Sequence, residues 1–307
     1  MKIKTNNVLV VGDSILDNDI KCETIGLSLE TPTLKTKLLS ENYTFGGASN
    51  VVTNLLALGV KVTYITPVAS DRYAIKYEQW AHNNLRLIPV KYCGENVVKS
   101  RYWIHRGSNA YKYLQINQGT EFPEEKLELV TNILSEELRL NSYDAVIYVD
   151  YRNGLFKSGR PQTRKMIENS INNGVKTYAA SQVSDKGSQY ELLIGVDVIC
   201  MNQDEAKSVV PTYAGTPADL KKISDKLNSR VCVTMGDKGS MIQTSCGPVR
   251  EPSYKVEAVD TCGAGDCFLA ALVASGEDLT FSNKWAAASI KKIGTNAPDL
   301  KEVLSWT

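Results

Sequence analysis

The stretch with the most chemical potential is residues 260–268, DTCGAGDCF, where a Gly-Ala-Gly turn is followed at once by Asp266 and an apolar run, CFLAALVA. A turn of this kind opening a helix leaves backbone N–H groups unpaired at the positive end of the helix dipole, a cradle for an anion such as phosphate. Asp266 would stand in the first helical turn beside that anion. The same residues also spell an ordinary glycine turn with an N-capping acid, and spacing alone does not choose between the two.

Further candidates lie along the chain. Asp13 and Asp17 follow the apolar run VLVVG at 8–12, where an acid suits a polyol, although an Asp-rich turn with Asp19 reads equally well. Gly46 and Gly47 precede Asn50 and a helical run, so backbone amides and one side-chain amide could approach a ligand closely, or the pair is a plain loop. Asn202 ends another apolar run and Glu205 follows three residues later, early in a helix, a place that the helix dipole also favours for an acid. Thr234, Gly236 and Gly239 lie at and after the run at 231–235.

Those residues need elements to hold them at the ends of strands. Apolar runs at 8–12, 60–66, 145–149, 175–180, 196–201 and 231–235 alternate with helical patterns at 73–83, 124–140 and 162–173, and the run at 51–58 has helical spacing closed by Gly59. Such alternation predicts an α/β fold with a doubly wound, mostly parallel sheet between helices. Two blocks interrupt it, about 18–45 and 87–117, weakly alternating and rich in Thr, Tyr and Trp; they are expected to form a small β-sheet lid. The 307 residues, 43% of them hydrophobic, suffice for one such domain. A net charge of +1 offers no footprint for nucleic acid or an anionic membrane, and no run reaches membrane-spanning length. Seven scattered cysteines, none in a CxxC spacing, argue against a disulfide framework or a zinc site and point to a reducing, cytoplasmic setting.

Assembled, these positions resemble the ribokinase-like, PfkB-type carbohydrate kinases over nearly the whole chain. Both signatures of that family are present, GGASN at 46–50 and DTCGAGD at 260–266, with the Asn202 and Glu205 pair between them. Within it the chain is most similar to the heptose 7-phosphate kinase domain of the bifunctional heptose kinase/adenylyltransferases. The segments VLVVGDSILD, FGGASNVVTNLLALG, the Asp150-Tyr151 pair with Gly154, and SNKWAAASIKKIGT at 282–295 carry that similarity. No HxGH motif of the adenylyltransferase half occurs, the histidines being His82 and His105, so a kinase without that half is expected. The segment AASQVSDKG at 179–187 departs from the Asp-Pro-Lys found there in the heptose kinases, and residues 68–71 lack a Gly-Asp, which puts substrate identity in question.

The resemblance implies an ATP- and Mg²⁺-dependent phosphotransferase. Gly263, Ala264 and Gly265 would offer amides to the moving phosphoryl group, and Asp266, its ionised form favoured by the helix dipole and hence a weak base, would orient a sugar hydroxyl and take its proton late. Asp17, Gly46, Gly47 and Asn50, with Asp13 as a secondary candidate, should hold the sugar. Thr234, Gly236, Gly239 and Thr261 should flank the nucleotide, with Asn283, Ile290 and Gly294 near the adenine; Asn202 and Glu205 would organise Mg²⁺ through water. A phosphate on the substrate requires a cation, for which Lys99, Arg101 and Arg106 are candidates unless they form a solvated lid edge. The implied product is heptose 1,7-bisphosphate. A kinase of an unphosphorylated sugar or nucleoside, and a sugar-binding regulator, stand as alternatives; a nicotinamide dehydrogenase does not, because Gly12 leads into DSILD instead of GxGxxG. A homodimer joined through the lid is the expected assembly.

Overall fold

Val8, Leu9, Val10 and Val11 have no exposed surface, which a strand achieves only when both faces of its sheet are covered. Successive side chains take opposite faces. Val8 and Val10 pack with the helices Ala48–Ala57, Ala264–Ser275 and Leu279–Ser289, while Leu9 and Val11 pack with Leu127–Leu140, Pro161–Asn172 and Pro217–Leu227. The computed structural model describes residues 3–106, 109–184 and 187–306.

The central sheet has nine strands in the order Gly247–Glu251, Ser240–Thr244, Arg230–Thr234, Val198–Asn202, Lys176–Ser181, Ala145–Asp150, Asn7–Gly12, Lys61–Ala69, Leu85–Tyr92. All neighbours are parallel except at the end that carries Ser240–Thr244, which runs antiparallel to Arg230–Thr234 and to Gly247–Glu251. Helices on both faces make the expected αβα, doubly wound arrangement. Its carboxyl edge collects Asp13, Asp150, Asn202 and Thr234, the place where open α/β sheets bind ligands.

A second sheet of four strands stands off this edge, in the order Leu34–Gly47, Ser14–Leu27, Val98–Arg106, Asn109–Gln118. It is longer-stranded than its sequence suggests: the first hairpin consists of two strands of 14 residues each. Asp17 therefore lies within a strand and not in a turn, since the chain passes from Gly12 through Asp13 straight into the lid. The second lid segment begins at Val98, because Leu85–Tyr92 pairs in parallel with Lys61–Ala69 at the edge of the main sheet. An edge strand that alternates in burial and contains Pro89 looks in sequence like a strand of the lid. The helix expected over 73–83 is a single turn, Ala74–Glu78.

Candidate active site

Helix Ala264–Ser275 is buried from Asp266 to its last residue. Its N-cap is Gly263, at φ 77°, with no side chain closing the turn. A Cβ at that position would stand 2.5 Å from Asn50 Nδ2, so glycine is required both by backbone conformation and by space. Around Gly265, by contrast, a Cβ would meet nothing within 4 Å. The Ala264 N–H donates to the Thr261 carbonyl at 3.3 Å, whereas the next amide, at Gly265, has no carbonyl one turn earlier to bond and lies where both cavities open.

Asp266 does not cap its helix. Its carboxylate accepts from Asn50 Nδ2 at 2.9 Å and from the Tyr151 hydroxyl, which lies 2.8 Å from each oxygen. The expected weak base is corrected here. Burial pushes its pKa up to about 6; the hydrogen bonds from Asn50 and Tyr151 pull the other way, as does Lys99, while Asp17 adds to the rise. Loss of water outweighs the hydrogen bonds, and the carboxyl lies just below neutral pH, a range suited to proton exchange. Burial, then the Asp266 charge, hold the Tyr151 phenol well above its usual range, so it remains a donor.

Asn50 belongs to the helix that follows the glycine pair, and not to the loop before it; Gly46 and Gly47 end the lid strand. A Cβ on Gly46 would reach within 2.3 Å of Asp17 Oδ2, and Gly47 takes φ 61° where strand becomes helix. Asp17 is 3% exposed and pairs with Arg101, Nη1 to Oδ1 2.8 Å, while Thr295 Oγ1 donates to its other oxygen at 3.4 Å. Burial raises the Asp17 pKa, with Arg101 opposing. Arg101, expected against a substrate phosphate, is itself inside the molecule, and its second guanidinium nitrogen donates to Cys262 Sγ at 3.5 Å. Lys99 lies over the Tyr151 ring, 5.5 Å from its centroid, and faces Asp17 and Asp266. Arg106 ends its strand, and its side chain falls outside the described residues.

Asp13, the secondary candidate for the sugar, is 1% exposed and also holds backbone. Its Oδ2 accepts from the backbone N–H groups of Tyr151 and Asn153 at 2.9 and 3.3 Å, so it fixes the loop that carries Tyr151. Burial, then the neighbouring Asp150 charge, raise its pKa.

Two cavities meet at Ala264 and Gly265. A polar one of 180 Å³ is bounded by Tyr151, Asn202, Glu205, Thr261 and Asp266. A larger one of 620 Å³, walled by Val256, Ala258, Ala287 and Ile290, reaches Thr234, Gly236, Gly239 and Asn283. All the residues expected around a nucleotide line one or both, except Gly294. That residue turns the other way, donating its N–H to Asp260 Oδ2 at 2.9 Å with Asp19 close by. Gly239 lies against backbone, where a Cβ would come 2.0 Å from Glu251 O.

Glu205 serves its helix as well as the cavity. Its Oε2 accepts from the Asn202 N–H at 2.7 Å, and Asn202 Oδ1 accepts from the amides of Asp204 and Glu205, a reciprocal capping box. Burial raises the Glu205 pKa to about 7 against the Asn202 and Tyr190 hydrogen bonds. Among the described residues there is no group of three ligating side chains able to cage a metal.

Sequence reasoning did not assign Tyr151, Asn54, Trp285 or Thr295 to this site. Tyr151 was visible only as half of the Asp150-Tyr151 pair; Asn54 lies one turn after Asn50 in the same helix, while Trp285 and Thr295 reach the site from the far end of the chain, so residue order shows neither contact.

The comparison with known families decides what this geometry belongs to: a model described as pfkB family carbohydrate kinase matches residues 5–302. The chain belongs to that family. This sugar kinase is 28% identical over 311 residues to the bifunctional protein HldE of a Nitratiruptor species, covering 96% of this chain and 64% of the relative. It is also 28% identical over 317 residues to the HldE protein of Campylobacter concisus, covering 98% and 64%. The kinase thus spans just under two thirds of the length of the curated relatives it matches. Among solved structures it resembles phosphofructokinase-2 from Escherichia coli in complex with fructose-6-phosphate, with TM-score 0.75, 15% identity and coverage of 98% and 97%. It likewise resembles Arabidopsis thaliana ribokinase complexed with ribose and ATP, with TM-score 0.69, 18% identity and coverage of 99% and 98%. At such identities the two structures establish the fold of this kinase alone. Membership of a kinase family implies ATP as phosphoryl donor.

Proposed function

We propose that this kinase moves the γ-phosphoryl group of ATP to a hydroxyl of a sugar phosphate, with D-glycero-D-manno-heptose 7-phosphate as substrate and the 1,7-bisphosphate as product. The supporting observation is the buried Asp266 carboxylate, which lines the polar cavity next to Ala264 and Gly265, where that cavity meets the large apolar one at a helix N-terminus. ATP fits with its base in the apolar cavity and its phosphates toward the Gly263 to Gly265 amides. As the sugar oxygen bonds to phosphorus, its proton passes to Asp266 and the bond to the β,γ-bridging oxygen breaks, releasing ADP. Asn50 and Tyr151 hold Asp266; Asp17, steadied by Arg101, holds the sugar with Gly46 and Gly47. Lys99 is the cation that faces Asp17 and Asp266 and suits a substrate phosphate.

The donor set suits Mg²⁺ that arrives with the nucleotide. One partly buried carboxylate, Glu205, and the Asn202 amide fit a hydrated ion held through water, not a dedicated cage. Bound there, Mg²⁺ would neutralise phosphate charge. Similarity to the HldE proteins over nearly the whole chain supports the heptose substrate. A second reading, an unphosphorylated sugar, is favoured by the ion pairing of Arg101 with Asp17, which takes one cation away from a phosphate.

A homodimer through the lid belongs to this reading. Ile25, Leu27, Leu38, Tyr111, Tyr113 and Ile116 are all exposed on that sheet, and a second copy would cover the same face reciprocally. Cytoplasmic location belongs to it too, supported by seven unpaired cysteines.

ADP release across a panel of sugars and sugar phosphates tests the proposal. We expect turnover with a heptose 7-phosphate and its loss in Asp266→Asn. Silence across a broad panel ends the kinase assignment, and turnover confined to plain sugars selects the second reading.

A further inference from the structure

Behind Asp266 runs a chain of buried hydrogen bonds. Trp285 Nε1 donates to Asn54 Oδ1 at 2.8 Å; Asn54 Nδ2 donates to Asn50 Oδ1 at 3.1 Å and to the Asn50 carbonyl at 2.8 Å; Asn50 Nδ2 donates to Asp266 Oδ2 at 2.9 Å. Asn54 and Trp285 are wholly buried and Asn50 is 1% exposed, so the chain is shut off from bulk water.

The two ends of this chain dictate its direction. An indole nitrogen only donates and an ionised carboxylate only accepts, so each amide between them must turn its oxygen toward Trp285 and its nitrogen toward Asp266. An amide side chain is nearly symmetric in shape, and only its partners decide which end faces which neighbour. Were Asn50 to turn over, its oxygen would oppose the Asp266 carboxylate in a dry site, where such a contact is strongly unfavourable. Asn54 prevents this, being locked by the indole on one side and by the Asn50 carbonyl on the other. Asn is a poor interior helix residue and a costly one to bury, and Asn54 sits in mid-helix among Val51, Leu55 and other apolar neighbours. A leucine there would serve packing alone better.

We infer that Asn54 and Trp285 are positioning residues for phosphoryl transfer, which hold the Asn50 amide with its N–H toward Asp266 and so keep that carboxylate oriented and bonded in its ionised form. The inference rests on Asp266 as proton acceptor but assigns work to residues that touch neither sugar nor nucleotide. Asp266 is also faced by Tyr151 from the loop after Ala145–Asp150, by Lys99 and Asp17 from the lid, by Glu205, and by Cys262 and Cys267 of its own segment. The Gly263 carbonyl, 3.4 Å from Asn50 Nδ2, favours the same amide orientation at longer range, and the Asn54 contact holds the oxygen end of that amide.

Asn54→Leu and Trp285→Phe, with Asp266→Asn as reference, provide the test, read as pH profiles of kcat/KM for an accepted sugar and as KM for ATP. Losing a hydrogen bond to a charged group predicts a fall of about tenfold in kcat for Asn54→Leu and an acid limb displaced to higher pH. Trp285→Phe should move both in the same direction by less, because the Asn50 carbonyl still holds Asn54. KM for ATP should stay within about twofold in Asn54→Leu, since the apolar cavity is separate from the chain. A purely structural role would lower the folded fraction yet leave the profile per active site superimposable on the parent, and that result overturns the inference. If Asn54→Leu does not fold, the Trp285→Phe profile decides alone, an unshifted limb counting against it. Full activity in Asp266→Asn would instead remove the underlying assignment of Asp266.

Discussion

Asp266 illustrates how far a local sequence rule carries at the scale of one residue. An acid in a first helical turn is ordinarily stabilised as an anion, yet burial reverses the balance and raises this one to about 6. If Asp266 takes the proton, kcat/KM should fall as pH drops through about 6, with unit slope. Stability should behave in the opposite sense. A carboxyl whose folded pKa lies above its unfolded value disfavours the folded state once ionised, so its penalty is absent below about pH 4 and complete above about pH 6. Asp266→Asn is therefore expected to raise Tm by a few degrees at about pH 8 and to leave it nearly unchanged at about pH 4, while abolishing turnover; differential scanning calorimetry at both values checks this.

Arg101 makes a second prediction at this scale. Removing one partner of a buried pair leaves a charge uncompensated, which costs about 3–5 kcal/mol. Arg101→Ala should lose stability of that order in urea titration. It should also weaken phosphorylated and plain sugars equally, because the guanidinium faces Asp17. A loss confined to phosphorylated sugars would return Arg101 to the role of phosphate ligand.

At the scale of elements, the glycine turn separates folding from chemistry. Gly263 is required by its φ and by the nearness of Asn50, whereas Gly265 has open space where a methyl would project. Gly263→Ala should destabilise by about 1–3 kcal/mol. Gly265→Ala should keep or slightly raise stability, as Ala is the better helix former by up to about 1 kcal/mol, and still lose activity about tenfold or more by crowding the phosphate cradle. Parallel thermal melts and steady-state kinetics distinguish the two. Equal losses of Tm in both would mean that the turn is structural only. The Asn202 and Glu205 pair shows the reverse case: the reading of Glu205 as a helix-start acid is realised in the capping box, and a role toward Mg²⁺ rests on the cavity the two residues share with Asp266.

At the scale of the whole molecule, the lid is the element least explained by the chain alone. Ile20, Cys22 and Ile104 are buried in it, yet Ile25, Leu27, Leu38, Tyr111, Tyr113 and Ile116 are exposed in the single chain. If the lid joins two copies as proposed, Leu38→Lys combined with Tyr113→Lys should shift sedimentation from dimer to monomer and reduce sugar turnover. An unchanged sedimentation coefficient at the monomer value in the parent would remove the dimer reading.

Most of the central sheet and the glycine turn at 263–265 could be read from residue order because their causes are local. Continuous β-branched runs bury both faces of a strand, and Gly-Ala-Gly before an acid opens a helix whatever surrounds it. The family signatures at 46–50 and 260–266 are likewise contiguous. Three matters depended on tertiary structure. Leu85–Tyr92 joined the main sheet because an edge position, which no local pattern encodes, was open beside Lys61–Ala69. Arg101 turned to Asp17 because a buried carboxylate required a partner. Asp266 acquired its raised pKa and its Tyr151, Asn50, Asn54 and Trp285 support because desolvation and hydrogen-bond direction are properties of an enclosed volume, assembled here from segments far apart in the chain, Asn50 and Asp266 being separated by 216 residues.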